Sequence, residues 1–200
     1  MRDVSDPLTV LRDDPVMADL IDEHGPVHVE PAENEYQRLV VSIINQQLST
    51  ASANAVRERV VSLFEEPITP TAMLAVDQDA LRDAGVSRQK VEYLREAAEA
   101  FRRGDFTRSG LKDSSDEDIV ATLTEIRGIG EWTARMYLIF VLGREDVLPL
   151  GDLAVRNGVD ELYGNGDGSM TRTEMHEIAN VWRPYRSYGT KYVWQAYESD

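Results

Sequence analysis

From residue 35 onward the apolar side chains recur three and four positions apart, the spacing of one buried face on an α-helix. Tyr36, Leu39, Val40, Ile43 and Ile44 predict one helix, and Ala55, Val56, Val60 and Leu63 a second. Asn45-Gln46-Gln47-Leu48-Ser49 lies between them, with Ser49 placed to cap the second. Pro67 and Pro70 punctuate a loop; a short helix over 71–76 and another ending at Gly85 follow, then a helix from Ser87 to Gly104. Ser115 with Asp118 resembles a capping box for a helix through Ile126, with Ile119, Val120 and Leu123 on one face. After the two-glycine turn Arg127-Gly128-Ile129-Gly130-Glu131, a helix runs from Trp132 or Thr133 to Leu142. Helices over 152–162, 172–182 and 184–197 complete the pattern, the middle one with a Thr171/Glu174 capping box. No internal repeat and no strand pair is found, so the expected class is all-α.

Composition narrows the chemistry. Two hundred residues suffice for one large domain or two small lobes. The absence of cysteine excludes disulfides, thiolate metal sites and cysteine nucleophiles. Three scattered histidines, His24, His28 and His176, suggest no metal site. The most apolar stretch, Met136 to Leu142, suits a core helix and falls far short of a membrane span. The opening MRDVSDP is no secretory signal, and the expected location is cytoplasmic. Asn165-Gly166-Asp167-Gly168-Ser169 imitates a calcium loop, but Tyr163 would fall at the first ligand position, so a plain loop is expected.

The net charge of −15 runs against a nucleic-acid partner if taken in bulk. Its distribution matters more. Residues 1–35 hold ten acidic and two basic side chains, whereas Val181 to Tyr197 contains Arg183, Arg186 and Lys191 and no acid. A generally acidic surface with a locally basic face is also what a salt-loving cell favours.

Two features carry candidate chemistry. Glycines at 128 and 130 allow bare main-chain amides to approach a phosphate, with the positive end of the next helix behind them. The same residues fit a tight turn with no ligand. Asp152 begins a helix, where the dipole favours its anion, and there it fits an ordinary N-cap as well as a reactive carboxylate.

Four blocks together go further: Ser42–Ser49, Ile126–Ala134, Leu148–Leu153, and Trp182–Tyr188 with Trp194. In that order, over residues 36–197, they resemble the helix-hairpin-helix (HhH-GPD) DNA glycosylase superfamily, and within it the alkyl-base branch, the DNA-3-methyladenine glycosylase II family. The resemblance implies a two-lobed helical fold with the active site in the inter-lobe cleft, one lobe over 36–149 and the other made of 1–35 with 150–200. With only ~35 residues before the first block, the β-sheet domain of some relatives is not expected. It implies Asp152 as the catalytic carboxylate and double-stranded damaged DNA as the partner of a monomer. Members that also cut the strand carry a Schiff-base lysine where Trp132 stands, so a monofunctional hydrolase of the N-glycosidic bond is implied. Trp132 and Trp194 would flank the extruded base, an aromatic wall suited to a cationic alkylated purine, with Met136, Tyr137 and Tyr188 as further pocket candidates. Some members place tyrosine where Met136 stands, a departure that bears on pocket polarity. Arg127, Gly128, Ile129 and Gly130 would hold the DNA backbone, with Arg183 and Arg186 beside it. Gln46, Gln47, Leu48 and Ser49 match the segment filling the gap left by the flipped nucleotide. No cofactor is implied, apart from a monovalent cation at the Arg127–Glu131 hairpin. The alternatives are a glycosylase for oxidised or mismatched bases and a non-catalytic helix-hairpin-helix DNA-binding module.

Overall fold

The computed structural model describes residues 6–46, 50–65 and 67–199. These form helices α1 (Pro7–Leu11), α2 (Pro15–His24), α3 (Glu35–Asn45), α4 (Thr50–Val61), α5 (Pro70–Ala75), α6 (Gln78–Asp83), α7 (Arg88–Arg103), α8 (Asp116–Thr124) and α9 (Glu131–Phe140). Helix α10 (Leu153–Tyr163), α11 (Arg172–Ala179), a 3-10 turn (Asn180–Trp182) and α12 (Arg186–Ser199) follow. There is no strand among the described residues, and no described helix is long and apolar enough to cross a membrane. The chain divides into two compact units, Pro31–Leu142 and Met1–Glu30 with Gly143–Asp200.

In the unit Pro31–Leu142, side-chain caps fix the helix starts. Asn34 accepts from Gln37 N, Ser87 from Lys90 N and Ser115 from Asp118 N, each satisfying an amide the first helical turn leaves without a partner. The apolar face of α3 packs against α7 and α9, burying Leu39, Val40, Ile43 and Ile44. The ring of Phe101 stacks on Phe106 and meets the edges of Tyr36 and Tyr137. Tyr36 Oη donates to Leu94 O at 3.0 Å, and burial raises its phenol pKa.

The other unit packs α10 on α12, and α2 on α12, around Leu11, Met17, Val155, Val159, Trp182, Tyr192 and Val193. Its acidic N-terminal stretch is built in through buried Asp14, the N-cap of α2. Asp14 Oδ1 accepts from Val16 N at 2.9 Å, and Oδ2 accepts from Tyr163 Oη at 2.7 Å and Trp182 Nε1 at 2.9 Å. A buried carboxylate tolerates this setting only because donors meet its charge. Leu148 and Leu150 bury in this same core, so the division falls at Leu142/Gly143, ahead of the limit of 149 read from the blocks.

Helices α1 and α2 lie in residues 1–35, where the apolar spacing gave no helix, and two later elements also differ from the sequence reading. The segment 172–182 ends in the 3-10 turn, and the last helix begins at Arg186, not 184, because Tyr185 N turns back to Trp182 O at 2.7 Å. In the loop 165–169, Gly168 N and Met170 N donate to the Asp160 carboxylate at 2.8 and 3.1 Å, and Glu174 accepts from Thr171 N as a capping box.

Candidate active site

Asp152 is the N-cap of α10. Its Oδ1 accepts from Val155 N at 3.0 Å and from Trp194 Nε1 of α12 at 3.4 Å. The cap bond orients the carboxylate. Asp152 N itself donates to Pro149 O at 2.8 Å, closing the turn that delivers the carboxylate to the helix start. Arg156 Nη1, one turn along α10, donates to Leu150 O at 2.9 Å and ties the approach loop to the helix. Asp152 and Trp194 are both half-buried, so the structure brings two of the expected site residues together at a partly open position.

The loop leading to Asp152 is held by the start of α12. Ser187 N donates to Glu145 O at 2.8 Å, Ser187 Oγ donates to Arg144 O at 2.7 Å, and Val147 N donates to Ser187 Oγ at 3.0 Å. Arg186 Nε donates to Asp146 Oδ1 at 2.6 Å and its Nη2 to Asp146 O at 2.9 Å, while Arg183 Nη1 reaches Asp146 Oδ2 at 2.8 Å. Arg186, expected beside the DNA backbone, has both ends of its guanidinium engaged inside the unit. Arg183, half exposed, shares the same carboxylate. Lys191 Nζ donates to His28 O. Tyr188 is buried in this unit's core with its Oη on Glu145 Oε1 at 3.1 Å; burial first and that carboxylate second push its phenol up to about 12. Its place is in the packing of the loop.

The hairpin lies in the unit Pro31–Leu142. Ile129 N closes on Ile126 O at 3.0 Å, and Gly130 caps α9 with no side-chain hydrogen bond of its own. Gly128 has φ of 95°, a conformation L side chains rarely adopt, and an added Cβ would sit 2.1 Å from Tyr93 Cγ. An added Cβ at Gly130 would meet nothing within 4 Å. The first glycine is thus needed by the turn and the second leaves a clear approach. Gln46 Nε2 donates to Gly128 O at 3.1 Å and Thr133 Oγ1 at 3.0 Å, which makes this side chain a brace of the hairpin. Arg127 pairs with Glu92 at 3.3 Å. Trp132, half-buried, lines a groove of about 720 Å³ with Gln46, Lys90, Tyr93, Gly130 and Thr133.

Helix α9 buries Met136 and Tyr137. Tyr137 Oη donates to Phe106 O at 2.7 Å, and the ring packs on Phe101. Tyr137, expected as a pocket candidate, sits on the inward face of α9 in the core. Gln47, Leu48 and Ser49 lie outside the described residues.

Three functional supports escape sequence reasoning. Asp146 pairs with residues some forty positions away, which no local pattern reveals. Tyr93 gives only a weak hint, a tyrosine one helical turn from Gln89. Lys90 Nζ caps the end of α3 through Ile44 O at 2.7 Å and Gln46 O, where a cation meets the negative end of a helix, and burial lowers its ammonium pKa.

A family model described as the HhH-GPD superfamily base excision DNA repair protein matches residues 40–184. The chain belongs to the HhH-GPD superfamily. This HhH-GPD chain is 31% identical over 186 residues to a Bacillus subtilis protein provisionally named a DNA-3-methyladenine glycosylase, covering 90% of this chain and 64% of that one. It is similar to a solved DNA-3-methyladenine glycosidase of Bacillus halodurans, with 35% identity, a TM-score of 0.79 and coverage of 94% and 87%. It is also similar to the Schizosaccharomyces pombe 3-methyladenine DNA glycosylase, solved in complex with abasic DNA, at 29% identity, a TM-score of 0.82 and 96% of each chain. The all-helical HhH-GPD fold expected from the four blocks is therefore present, and the relatives carry the expected enzyme name.

Proposed function

We propose that the chain is a monofunctional DNA glycosylase that excises alkylated purines from double-stranded DNA. The observation that carries this reading is the seat of Asp152, held at a helix N-terminus by Val155 N and Trp194 Nε1 in a chain of this family. A carboxylate fixed in that way is preorganised for positive charge that develops elsewhere, so no reorientation is needed during the reaction.

In the proposed reaction the damaged nucleotide leaves the stack, which costs a few kcal/mol. The C1′–N bond then breaks and its electron pair stays with the base. For a purine alkylated at a ring nitrogen the base is cationic, so this pair neutralises it and no general acid is required. Asp152 stabilises the positive charge left on the deoxyribose and orients a water, whose oxygen bonds to C1′ while its proton passes to the Asp152 carboxylate and then to solvent. Trp194, beside Asp152, supplies an aromatic face that attracts a cationic base. With tryptophan at position 132 no Schiff base forms there, so the product is an abasic site. The hairpin amides hold the backbone without reading sequence. A monovalent cation at Arg127–Glu131 would use main-chain carbonyls of the hairpin, and the reaction as written uses none.

The test is a panel of duplexes, each with one lesion, followed by alkaline cleavage. Release should be selective for methylated purines, and borohydride should trap no enzyme–DNA adduct. Selective release of an oxidised base, or a covalent adduct in good yield, overturns the reading.

A further inference from the structure

Gly158 lies in the interior of α10, a place where glycine is the poorest residue after proline. Packing explains its presence. A Cβ added there would lie 2.7 Å from Val193 Cγ1 and 3.2 Å from Val193 O on α12, with Tyr197 Cβ at 3.4 Å. The two helices therefore approach more closely than any side chain at 158 allows. Nδ2 of Asn157, the preceding residue, donates to Tyr197 Oη across the same contact at 3.1 Å. Asp152 stands six residues before Gly158, about 9 Å along the axis, and Trp194 follows Val193 directly. The 3.4 Å bond between Trp194 Nε1 and Asp152 Oδ1 thus spans the same pair of helices that Gly158 draws together.

We infer that Gly158 is a positioning residue for base release: by letting α10 sit against Val193 it sets the distance between Asp152 and Trp194. A side chain at 158 forces the helices apart at this point and lifts the carboxylate from the indole N–H. The effect falls on the reaction step and spares DNA affinity, because neither Gly158 nor Val193 is part of the hairpin. This inference rests on the proposed role of Asp152.

The experiment compares wild type, Gly158→Ala, Val193→Ala, the double variant and Asp152→Asn. It measures single-turnover release of a methylated purine and, separately, affinity for a duplex carrying a stable abasic-site analogue. Gly158→Ala should lower the release rate by ~10²-fold, the scale of a misplacement near 1 Å, with affinity within about twofold. Val193→Ala removes the methyl that the new Cβ would strike, so the double variant should recover most of the lost rate. Should Gly158→Ala fail to fold, Val193→Leu crowds the same contact from α12 and should show the same loss. A wild-type rate in Gly158→Ala, or in Val193→Leu where it stands in, overturns the inference. A double variant no faster than Gly158→Ala also overturns it. Full activity in Asp152→Asn would instead remove the reading of Asp152 on which it rests, an outcome the Gly158 variants cannot imitate.

Discussion

Arg186 belongs to a stretch, Val181 to Tyr197, that contains three basic side chains and no acidic one, and on charge alone it reads as a phosphate contact. In the fold its side chain is 13% exposed and donates to both the carboxylate and the carbonyl of Asp146. Arg186→Ala should therefore destabilise the protein by ~2 kcal/mol, as expected where a charged hydrogen bond is lost from a partly buried site. Arg183→Ala, whose side chain is 52% exposed, should cost under ~1 kcal/mol. Urea unfolding of the two variants checks this, and equal small losses would contradict the structural role of Arg186. The contrast with Asp152 shows what a sequence conveys at this scale. A helix cap is local, so Asp152 could be read from its place at a helix start beside a recognisable block. Pairs such as Asp146 with Arg186, or Gln46 with Gly128, join distant positions and exist only once the chain has folded.

Among the elements, the hairpin separates two glycines that look alike in sequence. Gly128 combines a φ of 95° with the Tyr93 ring directly below it, and Gly130 has neither constraint. Gly128→Ala should lower stability by at least ~2 kcal/mol through backbone strain and overpacking. Gly130→Val should leave the melting temperature almost unchanged and weaken binding to all duplexes alike, since backbone contacts carry no sequence information. Thermal unfolding with duplex titration at fixed salt measures both; undiminished affinity in Gly130→Val would remove the hairpin from the interface. Most helices were legible because their caps are side chains within three residues of the amides they satisfy, as with Ser87, Ser115 and Thr171. The start of α12 was not, because the turn before it is a tertiary arrangement held by the 144–147 loop.

For the whole molecule, the charge of −15 and the small number of candidate phosphate contacts oppose one another as salt rises. Counterion release weakens binding with increasing salt, but a protein with few contacts has a shallow slope. Self-repulsion and repulsion from DNA are screened as the Debye length falls to ~3 Å at 1 M. Base excision should accordingly persist or improve between roughly 0.1 M and 1 M KCl. A steady collapse of activity while circular dichroism stays constant would contradict this. At this scale the family and the helical fold were legible in four ordered blocks. Leu148 and Leu150 join a core that local pattern does not identify. The central claim, that Asp152 drives the loss of an alkylated purine, is tested most directly by single-turnover release in wild type and Asp152→Asn. The account predicts a folded variant that binds abasic-site DNA like wild type and releases methylated purine at least ~10²-fold more slowly. Release within about threefold of the wild-type rate would contradict it.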